Sequence, residues 1–306
     1  MIVFVYSIID YSILINIMEK TILVTGATGN IGSYVIPQLI EVGATVRALV
    51  RDVSKASDLS EAGVVLFEED FSDQEKVNHA AAGADAILAI TPAGPEVVNQ
   101  GKVLLNAATN SGSPYYVRLS AIGAAPDATT ENGRLHFQSD DALIKSGLPY
   151  TILRPHYFMQ NLYGSLETIK TEDNMYWGMG DGKMGMIDVR DIADCFASLL
   201  LGRGHDGKIY TPTGPDTISF HDIADTISNG IGKPVTYVPL SIEAVGEAIR
   251  KAGWGEWGAN VMMDYSRAYA EGWGEFTNDD VEIITGKKFR SFQQFYDEIF
   301  AYALKS

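Results

Sequence analysis

The chain of 306 residues has one cysteine, Cys195. A single thiol permits no intrachain disulfide and no cysteine cluster for zinc or iron–sulfur, so nothing points to an oxidising compartment and a cytoplasmic location is expected. Basic residues are scarce: 23 Lys and Arg stand against 39 Asp and Glu, a net charge of −16. Such a chain is repelled by a nucleic-acid backbone and by an anionic membrane, and neither is expected as a partner. No apolar run reaches the ~20 residues needed to span a bilayer. The apolar segment 1–17 is interrupted by Asp10, has no Lys or Arg ahead of it and has no small-residue cleavage site. It reads as neither signal nor anchor, and Met18 is the expected true start of the folded chain, with 1–17 an extension. Histidines lack metal-ligand spacing and no Gly-x-Ser-x-Gly occurs, so metal catalysis and serine hydrolysis find no support.

What is present is the composition of a compact globular protein, 46% hydrophobic and 20% charged. From Lys20 onward, short β-rich runs (TILVT, TVRALV, VVLFE, AILAI, YYVRLS, YTILR) alternate with helical patterns. That alternation predicts an α/β fold, a doubly wound parallel sheet of the Rossmann kind with at least six strands. Pro37, inside the first helical pattern, is expected to kink or break it. Beyond Arg154 the pattern loosens into MYWGMGDGKMGM and resumes with a short strand MIDV and the helix DIADCFASLLLG, for which Asp191 is a candidate N-cap. A last core unit follows, IYTPTG and a helix opened by Ser219 and Asp222 at capping-box spacing. The expected division is a dinucleotide-binding domain over 18–233, with 159–185 inserted into a substrate lobe, and a mainly helical C-terminal lobe over 234–306. Gly253 and Gly272 bracket a single helix and read as helix-terminal glycines.

Gly26, Gly29 and Gly32 lie between a strand and a helix, a G-x-x-G-x-x-G variant of the dinucleotide fingerprint. Glycines let the backbone approach a pyrophosphate, and the helix N-terminus offers unpaired N–H groups, so Thr28, Asn30 and Ile31 join the candidate set. Arg51 ends the second strand where the residue meeting the adenosine ribose belongs. A guanidinium there suits a 2′-phosphate, with Arg47 or Lys55 adding charge, and favours NADP(H) over NAD(H). Asp52 is the alternative, as an acceptor from a free 2′-hydroxyl. Asp70 and Phe71 follow the third strand as adenine contacts. Thr91 and Pro92 follow the fourth and Ser120 the fifth, at strand ends where this fold binds ligand.

TGATGNIG, VRALVRD, EEDFSD, GLPYTILRPHYFMQN, MIDVRDIAD and TGKKFRSFQQF together resemble the NmrA-like, atypical branch of the short-chain dehydrogenase/reductase superfamily, from Met18 to the end. The resemblance implies NAD(P) bound at Gly26, Gly29, Gly32 and Arg51, and either NAD(P)H-dependent reduction of a quinone-like or dye-like small molecule or redox sensing without turnover. It leaves monomer and homodimer both open. The chain departs from the superfamily in its acid: none of its fifteen tyrosines has Lys four residues on. The Lys position falls on His136 and the Tyr position on Asn132. His136 is thus either a contact to the nicotinamide ribose and proton donor near neutral pH, or a structural hydrogen-bonding group; Ser120 is the other catalytic candidate. Pro155 completes the cofactor set. Tyr157, Phe158 and Asn161, with Trp177, are candidate walls of the acceptor site, with a core role as the alternative for each aromatic.

Overall fold

A computed structural model describes residues 20–306. The reading of 1–17 lies outside them. Seven parallel strands form one sheet in the order β3-β2-β1-β4-β5-β6-β8. They are β1 (Thr21–Thr25), β2 (Thr45–Val50), β3 (Val65–Glu68), β4 (Ala86–Ala89), β5 (Tyr115–Leu119), β6 (Tyr150–Leu153) and β8 (Lys208–Tyr210). The central strands are continuous apolar runs, Ile22, Leu23 and Val24 being wholly buried, because helices cover both faces. Leaving β1, the chain winds one way to β2 and β3, then returns past β1 to β4, β5, β6 and β8. A crevice therefore opens at the carboxyl end of β1, where the order reverses.

The helix Gly32–Glu41 runs through Pro37 without a break. Five residues separate this proline from the helix start, so the ring removes a single early hydrogen bond. The helix Phe220–Ile231 opens on the full Ser219 and Asp222 capping box. Two local expectations are corrected. MIDV forms no strand; it contributes one bridge, Ile187 to Phe158. The N-cap of Val189–Leu201 is Asp188, which accepts from the Arg190 N–H at 2.9 Å, while Asp191 sits in the first turn and pairs with Arg290.

The lobe has its own core. Met159, Leu162, Met175 and Met179 pack there with Phe292, Phe295 and Phe300. The helix Phe220–Ile231 packs in this core, although the sequence pattern grouped it with the sheet. The lobe also holds a second sheet, β7 (Asn174–Trp177) paired in parallel with β9 (Thr236–Pro239), inside stretches that showed no strand pattern. The helix Gly255–Ala270 ends the lobe's approach to the main sheet, and Gly253 and Gly272 flank it in left-handed conformations. Among the described residues no helix is long and apolar enough to cross a membrane.

Candidate functional site

A groove of about 500 Å³ runs along the carboxyl ends of the strands. Gly26, Thr28, Gly29, Asn30 and Ile31 line it after β1, Arg51 after β2, Asp70 and Phe71 after β3, and Thr91 and Pro92 after β4. Gly26 is left-handed (φ 67°), which a side chain would strain. Gly32 stands just behind the lining: a Cβ there would lie 2.5 Å from the carbonyl oxygens of Gly26 and Ala27, so the helix can start against the loop only with glycine at this position. No side chain caps that helix. The N–H groups of Asn30 and Ile31 find no acceptor among the described residues and face the groove with the positive end of the helix dipole. Two further polar atoms in the lining, Thr91 Oγ1 and Gln100 Oε1, are buried without a partner. Unmet donors and acceptors along one crevice fit a dinucleotide, which carries phosphate, hydroxyl and amide groups along its length.

The charges near the adenosine end sort themselves. Asp52 accepts from the N–H and hydroxyl of Ser54 and pairs with Lys55 at 3.6 Å, and neither ion lines the groove. Arg47 donates to the carbonyls of Ala80 and Ala82. Arg51 is exposed on the groove with no carboxylate within 4.0 Å among the described residues. The supplementary charge expected from Arg47 or Lys55 is therefore spent elsewhere. Glu69, which the sequence did not flag, accepts from the Asp70 N–H and from Ser72, and so builds the turn that carries Phe71 at φ 75°. Burial raises its carboxyl, yet those hydrogen bonds and Lys76 outweigh burial and hold it at about 2.

At the other end, beyond β5 and β6, charged groups meet around Asp140, on the helix Glu131–Lys145. Asp140 is fully buried; it accepts from Arg118 Nε at 2.8 Å, Ser120 Oγ at 2.7 Å and Arg154 Nε at 3.0 Å. Ser120 thereby commits its proton to a carboxylate. His136 Nδ1 lies 3.3 Å from Arg118 Nη2; a guanidinium only donates, so Nδ1 is the acceptor and the ring proton sits on Nε2. Burial, then Arg118 and Arg154, push His136 down to about 3. A proton donor near neutral pH is therefore ruled out for His136, and a neutral hydrogen-bonding imidazole stands in its place. Asn132, at the position where the superfamily keeps its tyrosine, donates to the Tyr265 hydroxyl of the lobe at 3.0 Å.

The candidate acceptor walls separate. Phe158 lines the groove. Tyr157 is buried in the lobe core, edge-on to Trp177, whose indole donates to Ser165 Oγ at 2.7 Å. Both are core groups, not walls. Asn161 is exposed in the turn Met159–Ser165, and Pro155 is buried outside the lining. Next to them His156 fastens the end of β6 to the lobe: its Nδ1 accepts from the Tyr157 N–H at 2.7 Å, and its Nε2 donates to Gly274 O at 3.0 Å. Burial lowers His156 to about 4. Arg118, Asp140, Arg154, Gln100 and His156 had no sequence signal beyond residue type, because their meaning lies in who faces them.

Known proteins share this arrangement. The chain is 33% identical over 274 residues to the NAD(P)H azoreductase of Xenophilus azovorans, covering 90% of this chain and 96% of that protein. It is 28% identical over 250 residues to quinone oxidoreductase 2 of Escherichia coli, covering 79% and 86%. In three dimensions it is similar to the NADPH-dependent quinone oxidoreductase of Escherichia coli complexed with NADPH, with a TM-score of 0.83, 24% identity and coverage of 91% and 99%. Residues 18–303 match the profile of the NmrA-like family, and the chain belongs to that family.

Proposed function

We propose that the chain is an NAD(P)H-dependent reductase of a small, planar, apolar acceptor, quinone-like or dye-like. One observation carries this reading: the groove presents unmet dinucleotide partners along its whole length, while its redox end holds no side chain able to act as an acid near neutral pH. The named activities of the azoreductase and quinone oxidoreductase relatives point the same way.

The bound dinucleotide supplies hydride. The N–H groups of Asn30 and Ile31 hold the pyrophosphate, Arg51 pairs with a 2′-phosphate, and Asp70 and Phe71 receive the adenine. This assignment favours NADP(H) over NAD(H), and the cytoplasmic pool of the reduced form is its natural source. His136 donates from Nε2 to a ribose hydroxyl near the nicotinamide, and Phe158 borders the acceptor. Positioning of two reactants alone can lower a barrier by ~7–11 kcal/mol, enough for hydride addition to an electron-poor ring without a protein acid. Solvent then supplies the proton. Reversible alcohol oxidation, which needs a base, is excluded from this scheme.

Calorimetry with NADPH followed by an acceptor panel tests it. Quinones and azo dyes are expected to be reduced and secondary alcohols left unoxidised. Tight NADPH binding with no turnover on any acceptor would replace this reading with that of a redox-sensing regulator.

A further inference from the structure

The charges around Asp140 do not balance. Arg118 and Arg154 share this one carboxylate, at 2.8 and 2.9 Å, and no other Asp or Glu lies within 4.0 Å of either guanidinium among the described residues. Arg118 is 1% exposed, Asp140 0% and Arg154 18%. The imidazole beside them is neutral. Two cations and one anion leave one unit of positive charge fixed in a region screened poorly by water. Both oxygens of Asp140 are already taken by Arg118, Ser120 and Arg154, so the carboxylate has nothing further to offer. Burying an unmatched cation is costly, and a second arginine is not needed to satisfy one aspartate.

Its place in the sheet gives the charge a use. Because the strand order reverses at β1, a dinucleotide whose ribose phosphate meets Arg51 beside β2 must extend its nicotinamide toward β4, β5 and β6. Arg118 and Arg154 lie on and just beyond β5 and β6. Gln100 lines the groove, and its neighbour Gly101 packs on the cluster: a Cβ there would meet Ser139 Oγ at 3.1 Å and Arg118 Nη1 at 3.9 Å. One residue separates the groove wall from the guanidinium.

We infer that the unbalanced Arg118–Asp140–Arg154 cluster makes the site bind the reduced dinucleotide in preference to the oxidised one. This rests on the reductase reading above. The oxidised nicotinamide ring is a cation and the reduced ring is neutral, so a fixed positive charge opposes the first and is indifferent to the second. In turnover a C–H bond of the reduced ring breaks, and its electron pair travels with the hydrogen to form a bond on the acceptor. The ring is left with one positive charge and the acceptor with one negative charge, which a proton from water neutralises. The cluster stabilises that transient anion and promotes release of the spent cofactor. A unit charge acting over ~12 Å at an effective dielectric constant of ~20 changes an affinity about tenfold.

The test is calorimetric titration of the full chain with NADPH, NADP⁺, NADH and NAD⁺. Each reduced form is expected to bind about tenfold tighter than its oxidised partner, by the same factor in both pairs, because the 2′-phosphate cancels. Arg154→Gln should bring both ratios within about twofold of unity, and Arg154→Lys should restore them. Equal affinities in the unmodified protein overturn the inference, whether or not Arg154→Gln folds. So does a ratio that survives in a folded Arg154→Gln. Failure of all four ligands to bind overturns the reductase reading with it, and is distinguished from failure of the inference alone by the absence of any heat.

Discussion

Asp52 turns its carboxylate onto Ser54, 3.0 Å from the N–H and 2.6 Å from the hydroxyl, and so leaves Arg51, one residue earlier, as the ionic side chain on the groove beyond β2. Two neighbours of opposite charge are thus divided between a turn and a ligand. A charge-assisted hydrogen bond contributes ~1.5–3 kcal/mol. Arg51→Ala is expected to weaken NADPH roughly 10- to 100-fold and NADH less than about twofold, measured by calorimetry. Equal affinities for the two in the unmodified protein would contradict the assignment.

Gly32→Ala probes the loop from behind. Its Cβ would press on two backbone carbonyls at 2.5 Å, which cannot move without shifting the loop itself. Overpacking of this kind costs ~1–3 kcal/mol. A lowered melting temperature and a loss of NADPH binding are expected together; unchanged binding would show that the loop tolerates the shift.

Acid should destabilise the protein in a defined window. His136 and His156 are held to about 3 and about 4, below the ordinary histidine value of ~6.5. Between those limits the unfolded chain binds protons that the native state refuses, so the stabilisation is fully present above pH ~6.5 and is lost as pH falls toward 4. Each histidine contributes a slope of ~1.4 kcal/mol per pH unit. Chemical denaturation at pH 7, 6, 5 and 4 is expected to show this fall, and His156→Gln to reduce its slope. A flat profile would show that one or both rings are charged in the native state.

The neutral state of His136 also bears on rate. Turnover should not change through protonation of this residue between pH 6 and 8. His136→Ala should lower kcat less than the ~10²–10⁴-fold seen when a general acid is removed. A sigmoidal loss of rate near pH 6.5, abolished by the substitution, would restore His136 as an acid.

Six strands and the nucleotide loop were legible in the sequence for one reason. A parallel strand covered on both faces must be apolar along its length, and a backbone that turns tightly against a helix must be glycine; both requirements are local and leave a mark on residue type. The Ser219 and Asp222 cap is legible likewise, since both partners lie within one helical turn.

Tertiary structure decided what depends on distant partners. β7 and β9 pair across most of the intervening fold, and neither had a strand pattern, because their burial comes from the lobe around them. Asp188 rather than Asp191 caps its helix because the bridge from Ile187 to Phe158 sets where the strand-like backbone ends. Tyr157 and Phe158 are adjacent aromatics that composition cannot distinguish, yet extended backbone sends one into the lobe core and the other to the groove. Arg118, Asp140 and Arg154 read as three ordinary charges along the chain. Only the packing of β5, β6 and one helix turns them into a buried set whose charges do not cancel, since electrostatic energy depends on separation and burial, and a sequence records neither.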